Sequence, residues 1–345
     1  MTASPKSWAG EIRRGRGREK DLLPVLYYMQ MSYMDAVHKK AALLMSFVLA
    51  AATAFFSPAP AFPSAGEPLQ GSRSLLETYH RVEAGLADSG FGFPLRLESS
   101  EKEGRLHVDV YGIFDHPFSA VAGVLKDPGA WCDIASLHPN VKACTYTRLP
   151  GAWHLTFYTS RKAVQALDDA RPFNYVYRTA EQRQDYLAVD LTAEKGPFGT
   201  RDHRMRFEAL PLPGERTFVH VSYAYSHGFA LSLAAKTYFA LLVRDRGGFT
   251  VSGTDGNGHP VYVRGPRGAV ERNVVRYYFA IQSFMDTLNS PEESRFRIRI
   301  SKWYDLTDRY RKQLYDLEKK DYLTIKTEER KNQEMLQRKV AVNLP

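Results

Sequence analysis

Cysteine is scarce: the chain has 345 residues and only two of them, Cys132 and Cys144. That leaves no paired cysteines at zinc-ligand spacing. The ten histidines form no His-Glu-x-x-His pair, and there is neither a calcium-loop pattern nor a Gly-x-Ser-x-Gly elbow. The glycines in Asp255-Gly256-Asn257-Gly258 lead into no helix and no Lys-Ser/Thr pair, which removes a phosphate loop. No metal or cofactor is expected, and an enzyme is the less favoured class. Strong charge is missing too. The formal net charge is +9, but beyond Ala61 it is 39 basic against 34 acidic side chains. That balance is too mild for a nucleic-acid partner and allows at most a weak preference for anionic membranes.

What is present begins with an export-like N-terminus. Lys39-Lys40 precede the apolar run Ala41–Phe56, and Ser57-Pro58-Ala59-Pro60-Ala61 follows it. A positive region, an apolar core and a small-residue exit are the parts of a secretory signal peptide, over residues 34–61. The run is short for a bilayer span of about 20 residues, so cleavage after Ala61, or Ala65, is preferred to a transmembrane anchor. Residues 1–33, with Arg13-Arg14-Gly15-Arg16-Gly17-Arg18, sit awkwardly upstream. They are read as a non-native or disordered extension with Met34 as the true start, ahead of a twin-arginine or nucleic-acid reading. Residues 62–73 are then a linker, and the mature protein is periplasmic or secreted. In an oxidising compartment an even cysteine count favours a Cys132–Cys144 bridge over two buried thiols.

From Ser74 the pattern is α+β. Ser74-Leu75-Leu76-Glu77 has the form of a capping box and opens a helix with Leu75, Tyr79, Val82 and Leu86 on one side. Leu95–Ser99 and Arg105–Phe114 alternate as a hairpin. Two short helices follow, at His116-Pro117 and Asp127-Pro128-Gly129. Six strands come next, Val141–Leu149, Trp153–Arg161, Asn174–Thr179, Tyr186–Glu194, Arg201–Leu210 and Thr217–His227. Their short connections make neighbours antiparallel. In the last of them Val219, Val221, Tyr223 and Tyr225 share one face. Phe229–Val243 reads as an apolar helix: an extra core helix, a lid, or the part that makes transient membrane contact. Gly248–Ser252 and His259–Arg264 form a hairpin across the Asp-Gly turn.

Gly268–Leu288 organises the rest. Val270, Val274, Tyr277, Ile281, Phe284 and Leu288 recur at helical spacing, with Glu271, Arg272, Arg276, Gln282 and Asp286 mostly elsewhere on the wheel. One apolar helix after a run of antiparallel strands needs a sheet to lie against. Residues 291–345 form a charged helical extension. Within it Arg295–Ile300 is expected as a short edge strand and Trp303–Leu323 as a helix. Residues 324–345 are expected to fray, as a solvated outer helix or a docking element for a partner.

The order of elements, with Ala130-Trp131-Cys132-Asp133-Ile134, Gly196-Pro197-Phe198-Gly199-Thr200 and Arg267-Gly268-Ala269-Val270-Glu271-Arg272-Asn273, resembles START-like proteins of the helix-grip superfamily, which also holds pollen-allergen and polyketide-cyclase types. The resemblance spans roughly Ser74 to Leu288. It implies a curved antiparallel sheet wrapped around the last long helix, with a hydrophobic pocket between them. Trp131, Phe157, Tyr177, Tyr223, Tyr225 and Tyr278 are the wall candidates for a lipid or other hydrophobic ligand. Tyr223, Tyr225 and His227 are the polar groups best placed to orient one. A cyclase-type enzyme and an envelope accessory protein acting through its tail are the alternatives.

Overall fold

A computed structural model describes residues 71–87, 89–160, 163–196, 199–227 and 246–342. All fall within one of the chain's two compact units, Gly66–Pro345. The first helix, α1 (Ser72–Ala87), is followed by strands β1 (Leu95–Lys102) and β2 (Arg105–Phe114) and helices α2 (Phe118–Leu125) and α3 (Pro128–Ala135). Then come β3 (Val141–Leu149), β4 (Ala152–Thr159), β5 (Arg171–Gln182), β6 (Leu187–Lys195), β7 (Arg201–Leu212) and β8 (Arg216–Ser226). A small hairpin, β9 (Val251–Thr254) and β10 (Pro260–Tyr262), leads into α4 (Gly265–Met285). Helices α5 (Glu292–Asp308), α6 (Arg311–Leu314) and α7 (Lys319–Val342) complete the described chain.

The eight long strands form one antiparallel sheet in the order β1-β2-β8-β7-β6-β5-β4-β3. Strands β3 to β8 run as a meander, and β8 returns to pair with β2. Alternation assigns the faces. Leu106, Val108 and Val110 of β2, Val219 and Val221 of β8, and Met205, Phe207 and Ala209 of β7 belong to the core around α4. The opposite face meets α1, whose Leu75, Val82 and Leu86 are buried against Tyr111, Tyr186 and Phe218. The capping-box expectation does not survive: α1 starts at Ser72, so Ser74 lies inside it, and Glu77 pairs with Arg73 one turn back.

The grip on α4 is tight over the helix's second half. Tyr278 lies so close to Gly112 that a Cβ there would stand 2.0 Å from the phenol oxygen. Glycine at this strand position is what lets the helix approach. Tyr278 also meets Phe114, with ring centroids 5.2 Å apart, and Phe279 meets Phe93 at 5.7 Å.

Three of the charged residues set off the apolar stripe of α4 do not face solvent. Glu271, Arg272 and Arg276 are all buried: Glu271 under Ser99 and the Phe249–Thr250 backbone, Arg272 against the carbonyls of Arg246 and Gly247, and Arg276 under α5 and α6. Arg276 donates to the Leu314 carbonyl at 3.1 Å and to Asp316 at 2.7 Å, and the Trp303 indole donates to the Arg276 carbonyl at 3.1 Å. Two further expectations are corrected here. Arg295–Ile300 is helix within α5, not an edge strand, with Arg299 and Ile300 turned inward. Residues 324–342 do not fray: they belong to α7, a 24-residue helix lying along the edge strand β3. It satisfies that edge with side chains. Gln333 accepts from the Cys144 N–H at 2.9 Å, and Gln337 both accepts from and donates to the Tyr146 backbone, each at 2.9 Å. Lys326 donates to the carbonyls of His138 and Val141 at 2.7 and 2.9 Å. Glu329 lies between Lys326 and the buried Lys142, at 2.7 and 2.8 Å.

Cys132 of α3 and Cys144 of β3 form a disulfide, with Cα atoms 4.9 Å apart. It ties α3 to the strand that α7 covers. Among the described residues, no helix is long and apolar enough to cross a membrane.

Candidate functional site

The wall candidates fall into four places. Trp131 and Tyr177 converge on one backbone carbonyl: the indole N–H and the phenol O–H both donate to Leu125 O, at 2.7 and 2.8 Å. Their polar atoms are thereby used to fix the end of α2. Tyr278 is buried on Gly112, as above. Phe157 packs on Tyr175 with centroids 5.1 Å apart. Tyr223 and Tyr225 lie together elsewhere, on the inner face near the end of β8, with ring centroids 5.9 Å apart.

Around those two tyrosines the register assembles a strip that the sequence alone did not join. Met205 of β7 stands opposite Tyr223, and the next inward residue of β7 is His203. Its Nδ1 lies 2.8 Å from the Tyr223 oxygen and its Nε2 lies 2.9 Å from Thr200 Oγ1. The imidazole stacks on Tyr225 at 5.2 Å and takes the edge of Phe173 at 5.0 Å. Gly196 makes room for it, since a Cβ there would stand 2.0 Å from the imidazole Nε2. Across β2, Leu106 pairs with both Tyr225 and Glu101, so Glu101 shares this inward row. His227 follows β8, its ring 6.3 Å from Tyr225 and its Nε2 3.4 Å from Glu101 Oε1. Phe173, Tyr223 and Tyr225 are partly exposed, whereas the inner face over α4's second half is closed. The signal that would have found His203 and Glu101 is pairing register, which alternation within one strand does not contain.

Glu101 and Asp202 make the rim of the strip acidic. Burial outweighs the nearby Asp202 and lowers His203 to about 4, so this imidazole is uncharged near neutral pH. Burial, and next the Glu101 charge, raise the Tyr225 hydroxyl. Burial likewise raises Tyr223. Close by, the buried Glu271 carboxylate accepts from the backbone N–H groups of Phe249 and Thr250 at 2.6 and 3.0 Å and binds the Ser99 hydroxyl. Arg267 donates to the Ser99 side chain and carbonyl, both at 2.7 Å. These contacts clamp the start of α4 to β1.

A second polar cluster occupies the outer face. His220 bonds Asp109 at 2.8 Å and Glu208 at 3.0 Å. Arg206 binds Asp190 with both contacts at 3.1 Å, His107 bonds Ser222 at 2.9 Å, and Tyr186 donates to Glu208 at 2.5 Å. Burial opposes the imidazolium, but hydrogen bonds to Asp109 and Glu208 and their charges outweigh it and raise His220 to about 9. Asp168 and Asp169 are exposed in a short 3-10 turn. No group of three or more His, Cys, Asp or Glu fit to hold a metal occurs among the described residues. Phe229–Val243 and the signal-like stretch lie outside the described residues.

The element order and the sheet enclosing α4 make this a helix-grip fold, as the START-like resemblance implied. No family model matches the chain, and no curated relative matches it. Solved structures similar to it include human StAR-related lipid transfer protein 5, 11% identical over 64% of this chain and 98% of that one, with a TM-score of 0.32. Norcoclaurine synthase from Thalictrum flavum is 12% identical over 39% of this chain and 76% of that one, with a TM-score of 0.29. The protein TTHA0849 from Thermus thermophilus is 12% identical over 53% of this chain and 99% of that one, with a TM-score of 0.34.

Proposed function

We propose that the protein is an exported carrier of a lipid or other hydrophobic small molecule, held at the Tyr–His end of the grip. One observation carries this. The inner face of the sheet is closed core over most of its area, yet at one end it offers partly exposed rings, Phe173, Tyr223 and Tyr225, beside His203 and His227. Apolar walls with a few convergent polar groups suit a bound hydrophobic molecule. Burial would drive binding at about 25 cal/mol per Å² of apolar area. Export is supported by the signal-like pattern of residues 34–61 and by the joined cysteines, since such bonds persist in oxidising compartments.

The test is native mass spectrometry of the protein from its host, with uptake of labelled lipid from vesicles. A co-purifying apolar adduct and uptake that Tyr225→Ala weakens are expected. A clean apo mass with no uptake overturns the reading.

A cyclase-type enzyme is the second reading, and the His203–Tyr223 contact favours it, because a neutral imidazole bonded to a phenol can relay a proton. Turnover of a bound substrate that His203→Gln abolishes without loss of binding would select it. The tail-based accessory reading draws less support, because the inward side of α7 is already engaged with β3.

A further inference from the structure

His227 is the anomaly of the strip. Its side chain is 6% exposed, yet neither ring nitrogen has a hydrogen-bond partner. A buried donor and acceptor left without partners are costly and uncommon in native proteins. The nearest charged atom is Glu101 Oε1 at 3.4 Å, on a side chain one-third exposed. Beside them lies the Tyr225 ring, which also contacts His203 and Tyr223.

We infer that the ligand carries a protonated amine on its apolar body, seated with its N–H groups toward Glu101 and His227 and its charge against the ring of Tyr225. This rests on the carrier reading. Each part of the site matches that chemistry. The carboxylate accepts one N–H and supplies the counter-charge. An imidazole nitrogen of His227 accepts a second. The aromatic face attracts a cation through its quadrupole. A carboxylate or phosphate head would instead meet Glu101 as a like charge. An alcohol would cover Glu101 without neutralising it, which disfavours burial. Arg267 of α4, which reaches β1 at Ser99, is held there and lies 3.8 Å from Glu271, so it does not answer Glu101. The acidic neighbours that bear on the strip are Glu101 on Tyr225 and Asp202 on His203.

The experiment is calorimetric titration of the whole exported chain at pH 7 with decylammonium, decanol and decanoate, each below its aggregation limit. Beyond Ala61 the chain carries 39 basic against 34 acidic side chains, a net +5 that repels the amine, so non-specific attraction cannot produce a preference for it. Decylammonium is expected to bind about tenfold tighter than decanol, the scale of one partly screened ion pair with an added cation–π contact. Glu101→Gln is expected to bring the amine down to the alcohol's affinity and leave the alcohol unchanged. Glu101 is exposed enough for that variant to fold. Equal binding of all three, or decanoate binding best, overturns the amine assignment and leaves the carrier reading intact. No binding by any of the three, together with no lipid uptake, overturns both.

Discussion

His220 and His227 stand on opposite faces of one sheet, each beside a carboxylate, and they are treated oppositely. His220 is saturated, with Asp109 on one nitrogen and Glu208 on the other, and those acids bond His107, Arg206 and Tyr186 in turn. His227 is as deeply enclosed, and neither nitrogen of its ring makes a hydrogen bond. The residue types are alike, so composition does not separate a structural cluster from a binding one. Completeness does. An imidazole with both nitrogens paired is held in place, whereas a buried ring with neither paired needs a reason.

The largest effect expected from this contrast is on the saturated side. His220→Ala leaves Asp109 and Glu208 buried without their shared cation and should destabilise by about 3–5 kcal/mol, read from urea unfolding. Equal stability would break the comparison. The second effect is on pH. His220 is raised to about 9 from 6.5, so its contribution is complete below about 6.5 and is lost as pH rises through about 9. For Glu208, burial alone would raise the pKa, but bonding and the charge of His220 lower it to about 2, so its contribution is present above about 4.5 and lost as pH falls through about 2. Unfolding free energy should therefore peak between about pH 5 and 6.5, and His220→Ala should flatten the alkaline limb. Third, Gly196→Ala pushes a methyl into His203 and should cost about 1–3 kcal/mol by overpacking, while disturbing the strip that holds the ligand. Smallest is His227→Gln, expected within about 0.5 kcal/mol of wild type in stability but weaker in amphiphile binding. A large loss of stability there would make His227 a packing residue like His220.

The sheet was legible because alternation and turn chemistry agree: β2 and β3 have the expected bounds, and β4 to β8 differ only at their ends. The extension was not. Arg295-Phe296-Arg297-Ile298-Arg299-Ile300 alternates like a strand, but its inward residues Arg299, Ile300, Trp303 and Tyr304 follow helical spacing against α4 and α7. In α7 the buried residues Lys326, Glu329 and Gln333 are polar, so hydrophobic periodicity is blind to them. Their partners are backbone groups of β3 and of the turn before it, and Lys142, which no pattern within the helix names. The same screen hid Glu271 and Arg272. At the candidate site, Tyr223, Tyr225 and His227 could be named from one strand's alternation. His203 and Glu101 become their neighbours only through the order β1-β2-β8-β7.

The glutamine contacts from α7 to β3 have a consequence for how the protein tolerates damage. An uncovered strand rim is a template for other chains, and here two carboxamides occupy it. A chain clipped ahead of Lys319 would keep its aromatic strip yet gain a sticky flank, and would be lost from solution by self-association before any change in ligand handling could be noticed.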